Sequence, residues 1–167
     1  MSVDWAFVYR GLYLDVVRFL YRKVWDADRA QDLAQETFVR CLKHDADNPR
    51  ALVFTVAANL ARDEARTVLR RKKHLTLIRV EHEQRSPASP AEESEQAQRI
   101  ASVERALAQL GERDREVLLL WDAGLSYQEI AEQTGLATGA IGTTLARARR
   151  KLVEAHESIE GRKHATR

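Results

Sequence analysis

Cysteine is almost absent from these 167 residues. Cys41 stands alone, which excludes an intramolecular disulfide, and no Cys and His spacing of the zinc-binding kind occurs. Proline appears three times and glycine seven times, and no stretch alternates β-branched with polar residues over a useful length. These scarcities argue against strands and for an all-α chain. Long apolar runs are also lacking: Val117 to Trp121 ends at Asp122, and the N-terminus has no basic stretch followed by an apolar one. Neither a membrane span nor a signal peptide is expected, in keeping with a reducing cytoplasm. No phosphate-binding glycine loop, paired metal motif or nucleophile with a base is found, so no cofactor, metal or catalytic residue is expected. The histidines His44, His74, His82, His156 and His164 read as belonging to loops, linker or tail. The net charge is only +2, so affinity for nucleic acid has to come from local clusters of cations.

The 44% hydrophobic content is that of a folded protein, and its pattern is helical. From Asp4 to about Trp25 the residues Trp5, Val8, Leu12, Val16, Phe19, Leu20 and Val24 mark a buried face, with Gly11 dividing a short helix from a longer one. Asp28 with Gln31 is expected to open the next helix. Its inner stripe is Ala30, Leu33, Ala34, Thr37, Phe38, Cys41 and Leu42; its outer stripe is Asp32, Gln35, Glu36, Arg40 and Lys43. On that inner stripe Cys41 reads as a core residue rather than a redox sensor. Asn48 and Pro49 then form a helix start, with Asn at the cap and Pro at the first helical position. The helix runs to about Lys73. Val53, Phe54, Ala57, Leu60, Ala61, Ala65 and Val68 point inward, and Asn59, Arg62, Asp63, Arg66, Arg70 and Lys73 fall on another side, with Arg71 and Lys72 beside them.

Periodicity fades from residue 75 to residue 98, where Ser86, Pro87, Ser89 and Pro90 occur among acidic residues, as in a linker. Two domains are therefore expected, on residues 1–74 and 99–158, with a frayed tail over 159–167. In the second, Ile100, Val103, Leu107 and Leu110, then Val117, Leu118, Leu120 and Trp121, precede the most informative segment, Leu125 to Leu152. There Ser126 and Glu129 are spaced for a capping box, and Gly135 supplies a turn. A second helix starts near Thr138, with Ile141, Leu145, Ala148 and Leu152 inward and Thr143, Thr144, Arg147, Arg150 and Lys151 outward. This is a helix-turn-helix pattern, suited to a major groove. By itself it marks a DNA-binding candidate, the alternative being a helical hairpin with a solvated basic face.

DLAQETFVRCL at Asp32 to Leu42, VAANLARDEAR at Val56 to Arg66, and LGERDREVLLLWDAGLSYQEIAEQTG from Leu110 to Gly135 decide between those readings. Together, in this order and across a linker, they resemble a bacterial sigma factor of the extracytoplasmic-function (ECF) group in the sigma-70 family. The N-terminal block AFVYRGLYLDVVRFL is similar to members serving iron or siderophore uptake.

The resemblance implies regions two and four without regions one and three, and an initiation subunit that is not an enzyme. It implies that Asp32, Gln35 and Glu36 dock on the coiled coil of the polymerase beta-prime subunit. The helix from Pro49 would melt and read the −10 element, with Asn59, Arg62, Asp63 and Arg66 at bases and Arg70, Arg71, Lys72 and Lys73 at phosphates. A base-capture loop would lie near His44 to Arg50. It offers no aromatic residue, so Asp45, Asp47 and Asn48 would act through hydrogen bonds. The helix-turn-helix would read the −35 element through Thr138, Thr143, Thr144, Arg147, Arg150 and Lys151, and approach the beta flap. Gly142 and Thr144 stand where the family often has Lys or Arg, which favours thymine-methyl, phosphate or shape readout over guanine contacts. An anti-sigma factor, often membrane-anchored in the family, is the implied regulator. A one-component regulator with a ligand-sensing or dimerising N-terminal domain is the competing function; DLAQET and the basic helix weigh against it.

Overall fold

Each helix of the N-terminal half begins where a short polar side chain meets an amide that the helix itself leaves unbonded. In the computed structural model, which describes residues 2–77 and 95–165, Asp4 accepts from the Phe7 amide at 3.0 Å and opens α1 (Trp5–Val24). Asp26 accepts from the Arg29 amide at 3.0 Å and opens α2 (Ala27–Cys41). Asn48 accepts from the Ala51 amide at 3.1 Å and opens α3 (Pro49–Leu77), as the Asn-Pro pair predicts. Two expected boundaries differ. Helix α1 is continuous through Gly11, whose cost of about 1 kcal/mol relative to Ala does not break a helix anchored on both sides. Helix α2 is capped by Asp26 rather than opened by Asp28, which instead lies in the first turn, where its charge suits the helix dipole. Helix α1 ends at Trp25, whose left-handed φ of 56° lets its amide donate to the Tyr21 carbonyl at 2.8 Å.

The chain divides into two compact units, Met1–Gln84 and Arg85–Arg167. In the first, α1, α2 and α3 pack pairwise around Val16, Leu20, Leu33, Cys41, Val53 and Phe54. Phe19 and Phe54 meet edge to face at 5.4 Å between centroids, and Tyr9 meets Phe38 in the same way at 5.0 Å. Cys41 is fully buried, and burial pushes its thiol up to about 11. The inner stripes are shorter than the pattern suggests. Leu42 is 59% exposed, and Ala65 and Val68 lie on the surface because α3 there extends beyond α1 and α2.

The second unit holds α4 (Glu95–Gln109), α5 (Glu112–Asp122), α6 (Tyr127–Thr134) and α7 (Thr138–Ala165). All three other helices pack on α7, and α5 also packs on α6. Ser126 and Glu129 form the expected capping box, each side chain bonded to the other's amide, at 3.2 and 2.8 Å. Gly135 takes φ 71° at the end of α6, a conformation that glycine adopts without strain. Ile141, Leu145 and Ala148 are buried as predicted.

The expected tail is helical as far as Ala165. Ile159 packs with Ala106, Ala155 and Leu152, so α7 continues where α4 gives it a surface to cover. Ile100 and Val103 of α4, by contrast, are largely exposed. Of the expected linker, residues 75–77 belong to α3 and 95–98 to α4, and residues 78–94 lie outside the described ones. His74, His156 and His164, read as linker or tail, are in helices α3 and α7; His82 lies outside the described residues. No helix among the described residues is long and apolar enough to cross a membrane.

Candidate nucleic-acid interface

Helix α2 turns Leu33, Ala34, Thr37 and Phe38 into the core, and a 3.6-residue period then leaves Asp32, Gln35 and Glu36 on one accessible face. Glu36 accepts from Arg40, one turn on. Beside Gln35 runs an apolar groove of about 560 Å³, lined by Trp5, Tyr9, Phe38, Val39 and Leu42. The expected docking trio is thus brought together, next to apolar surface that the stripe analysis had assigned in part to the core.

On α3 the charged residues form a row of short-range pairs. Arg62 donates to Asn59 Oδ1 at 2.9 Å, and Arg66 lies 3.9 Å from Asp63. Asn59, Asp63, Arg66, Arg70, Arg71 and Lys73 are exposed and Arg62 half-buried; the side chain of Lys72 lies outside the described ones. The row is anchored at one point that sequence reasoning missed. Arg29 of α2 grips Glu64 with two hydrogen bonds of 2.8 Å, and the guanidinium holds the Glu64 carboxyl below its usual range. Nothing local signals a pair 35 residues apart. In the preceding loop Asp45, Asp47 and Asn48 are exposed; Asp45 accepts from the Val3 amide at 3.4 Å, and Asn48 Oδ1 is engaged as the cap of α3.

On α7 the period divides the predicted set. Thr138, Thr143 and Arg150 are exposed. Thr144 is not outward: it is only 6% exposed, because three residues beyond Ile141 it falls on the buried side. Gly142 faces the Tyr127 ring, where a Cβ would sit at 3.5 Å, so its lack of a side chain removes nothing from the outward face. Arg147 and Lys151 converge on Asp114, in the first turn of α5. Arg147 Nη2 donates to Oδ1 at 2.6 Å, its Nε reaches both oxygens at 3.2 and 3.3 Å, and Lys151 Nζ donates to Oδ2 at 2.9 Å. The Asp114 side chain is 7% exposed, and its hydrogen bonds from Arg147 draw its carboxyl below the usual range. Trp121, expected as a packing anchor, is 40% exposed, with the Arg149 guanidinium 4.0 Å above its ring.

A helix-turn-helix on one unit and a polar, cation-rich helix on the other are joined by the comparison with known proteins. Residues 8–72 match the model of Sigma-70 region 2, and residues 100–152 match that of Sigma-70, region 4. The ECF RNA polymerase sigma factor EcfG of Rhodopseudomonas palustris is 32% identical over 133 residues, covering 76% of this chain and 71% of that protein. The chain belongs to the ECF group of the sigma-70 family. The ferric citrate uptake sigma factor FecI of Escherichia coli is 30% identical over 135 residues, 78% of each chain. The fold is that of the sigma factor RpoE in the co-crystal structure with the anti-sigma factor NepR from Bartonella quintana. The TM-score is 0.71 at 24% identity, over 92% of this chain and 97% of that one. As a sigma factor the chain is a transcription initiation factor and not an enzyme, and regions 2 and 4 bind core RNA polymerase and promoter DNA. The match to region 2 runs from within α1 to within α3, and the match to region 4 from within α4 to within α7.

Proposed function

We propose that this sigma factor assigns its contacts as follows. The α2 face of Asp32, Gln35 and Glu36 docks on the beta-prime coiled coil. The α3 row reads and melts the −10 element, Asn59, Arg62, Asp63 and Arg66 at bases and Arg70, Arg71, Lys72 and Lys73 at phosphates, with Asp45, Asp47 and Asn48 lining the path of the displaced strand. Helices α6 and α7 read the −35 element from Thr138, Thr143 and Arg150, with Arg147 and Lys151 on the flank, and α6 lies toward the beta flap. The observation that supports this best is the α3 row itself. Its pairs Arg62–Asn59 and Arg66–Asp63 are local, within one helical turn, and such pairs exchange for phosphate and base contacts without any change in the core.

Regulation by an anti-sigma factor is part of the reading, supported by the structural relative's complex with NepR. A membrane-anchored form of such a regulator would hold the factor at the cytoplasmic face. The likeness to FecI and to EcfG is of similar size, so it carries the family and not an iron signal.

Run-off transcription tests this: core polymerase with and without the chain, on the promoter upstream of the protein's own operon. Initiation that depends on the chain and on intact −35 and −10 elements is the expected result. With the charge-reversed pair Asp32→Lys and Glu36→Lys, polymerase binding should be lost while the helical spectrum is kept. Wild-type polymerase affinity in that double variant would remove α2 from the docking site. No initiation with any of several core enzymes would favour a one-component regulator.

A further inference from the structure

Four cations lie in or beside the basic run of α7, and the structure does not present them equally. Arg147 and Lys151 are one turn apart on the flank that faces α5, and both are spent on the two oxygens of Asp114. Arg149, on the other side of the buried stripe, stacks on Trp121 near the end of the same α5. Arg150 alone of the four has no ion pair or ring contact among the described residues, and it lies on the outward face with Thr143 and Ala146. The outward face at Thr143, Ala146 and Arg150 therefore offers small side chains and one cation that is not held by a carboxylate or a ring among the described residues.

We propose that Asp114 is a specificity-determining positioning residue. By holding Arg147 and Lys151 against α5, it withholds them from phosphate, so that −35 binding rests on base-edge contacts of Thr143 and Ala146 with Arg150 as the main cation. This rests on the reading of α7 as the −35 helix. The physical reason is counterion release. The condensed counterions belong to the DNA and are released only when a cation neutralises a phosphate; a cation held by a carboxylate has first to leave a pair that is partly shielded from water. Sequence-independent affinity comes from such phosphate contacts, so removing two cations from that role lowers binding to every DNA and leaves the base contacts to discriminate. The geometry suits restraint rather than presentation. Arg147 spends its Nε and one Nη on Asp114, the groups that would make a fork onto a phosphate. Ala146, which the pattern of charged residues does not single out, becomes a candidate for contact with a thymine methyl.

The test uses holoenzyme reconstituted with the full chain, and measures its affinity for the operon promoter and for the same DNA with a scrambled −35 element, across a salt series. Wild type has to discriminate between the two DNAs; if it does not, the −35 reading itself fails. Given that discrimination, Asp114→Asn is expected to steepen the log K against log salt slope by about 1 to 2. It should also raise affinity for the scrambled DNA several-fold more than for the intact promoter, and Asp114→Glu should restore both values. An unchanged slope and ratio, or a shallower slope, would overturn the proposal. If Asp114→Asn does not fold, Arg150→Gln and Arg147→Gln decide. Arg150→Gln should lower the slope by about 1 and Arg147→Gln by less than half of that; equal losses would show that Arg147 is a phosphate contact and that Asp114 withholds nothing.

Discussion

On α3 the pairs Arg62–Asn59 and Arg66–Asp63 join neighbours three residues apart on one helix, whereas on α7 two cations reach across 33 and 37 residues to one buried carboxylate. The contrast extends to the cores. All but two of the aromatic residues lie in the first unit, where rings meet edge to face, and the second unit is packed by Leu, Ile, Val and Ala, with Trp121 and Tyr127 at its surface. On the proposed reading, region 2 separates what folds it from what would contact DNA. In region 4 the same ion pairs fix the α5 to α7 packing and set which cations are available. Substitutions in the exposed row of α3 should change binding and leave stability alone; substitutions around Asp114 should change both.

The largest expected effect tests the cores. Phe54→Ala removes a fully buried ring and should cost about 3–5 kcal/mol, seen as lost hydrogen-exchange protection of α1 to α3. The aliphatic counterpart Ile141→Val should cost only about 0.5–1.5 kcal/mol in α5 to α7. Next, Asp114→Ala removes a buried acceptor of charged hydrogen bonds, and urea denaturation should show a loss of about 2 kcal/mol. The cations left behind are half in water, which limits the cost. Asp63→Ala, at an exposed pair of 3.9 Å, should cost less than about 0.5 kcal/mol, and a similar loss at the two sites would abolish the distinction.

Acid sharpens it further. Asp114 and Glu64 both titrate lower in the folded protein than their ordinary values of 3.8 and 4.5. Their stabilisation is complete above those values and is lost as the pH falls through them toward the lower folded values. Thermal melts should therefore begin to fall below about pH 4.5, and Glu64→Gln should flatten the upper part of that fall. Ser126→Ala, which opens the capping box, should cost about 1 kcal/mol. Smallest of all in stability is Arg66→Ala, within about 0.5 kcal/mol, while the salt slope of promoter binding falls by about 1.

Local chemistry was the legible part of the sequence. The Asn48 cap, the Ser126 and Glu129 box and the Gly135 turn are each made by residues within a few positions of one another, and all three are present as read. Helix periodicity placed Val53, Phe54, Ile141 and Leu145 inside, because the neighbouring helices cover that face. Where no helix covers it, the same periodicity failed: Ala65 and Val68 on α3, and Leu42 just past α2, face water. Thr144 failed in the opposite direction, since a threonine near the border of a stripe is assigned by where α5 and α6 sit rather than by its own polarity. Asp114 and Glu64 were invisible. Each looks like one more solvated carboxylate, and only the tertiary fold brings its arginine to it.

The lone Cys41 has a practical consequence. Its sulfur is fully enclosed by the first unit, and its thiol is held protonated at neutral pH. A thiol-reactive dye is thus a gauge of breathing in region 2, since it reports only those moments when α2 parts from α1 and α3. Labelling kinetics with and without core polymerase would time that opening with one natural atom and no engineered probe.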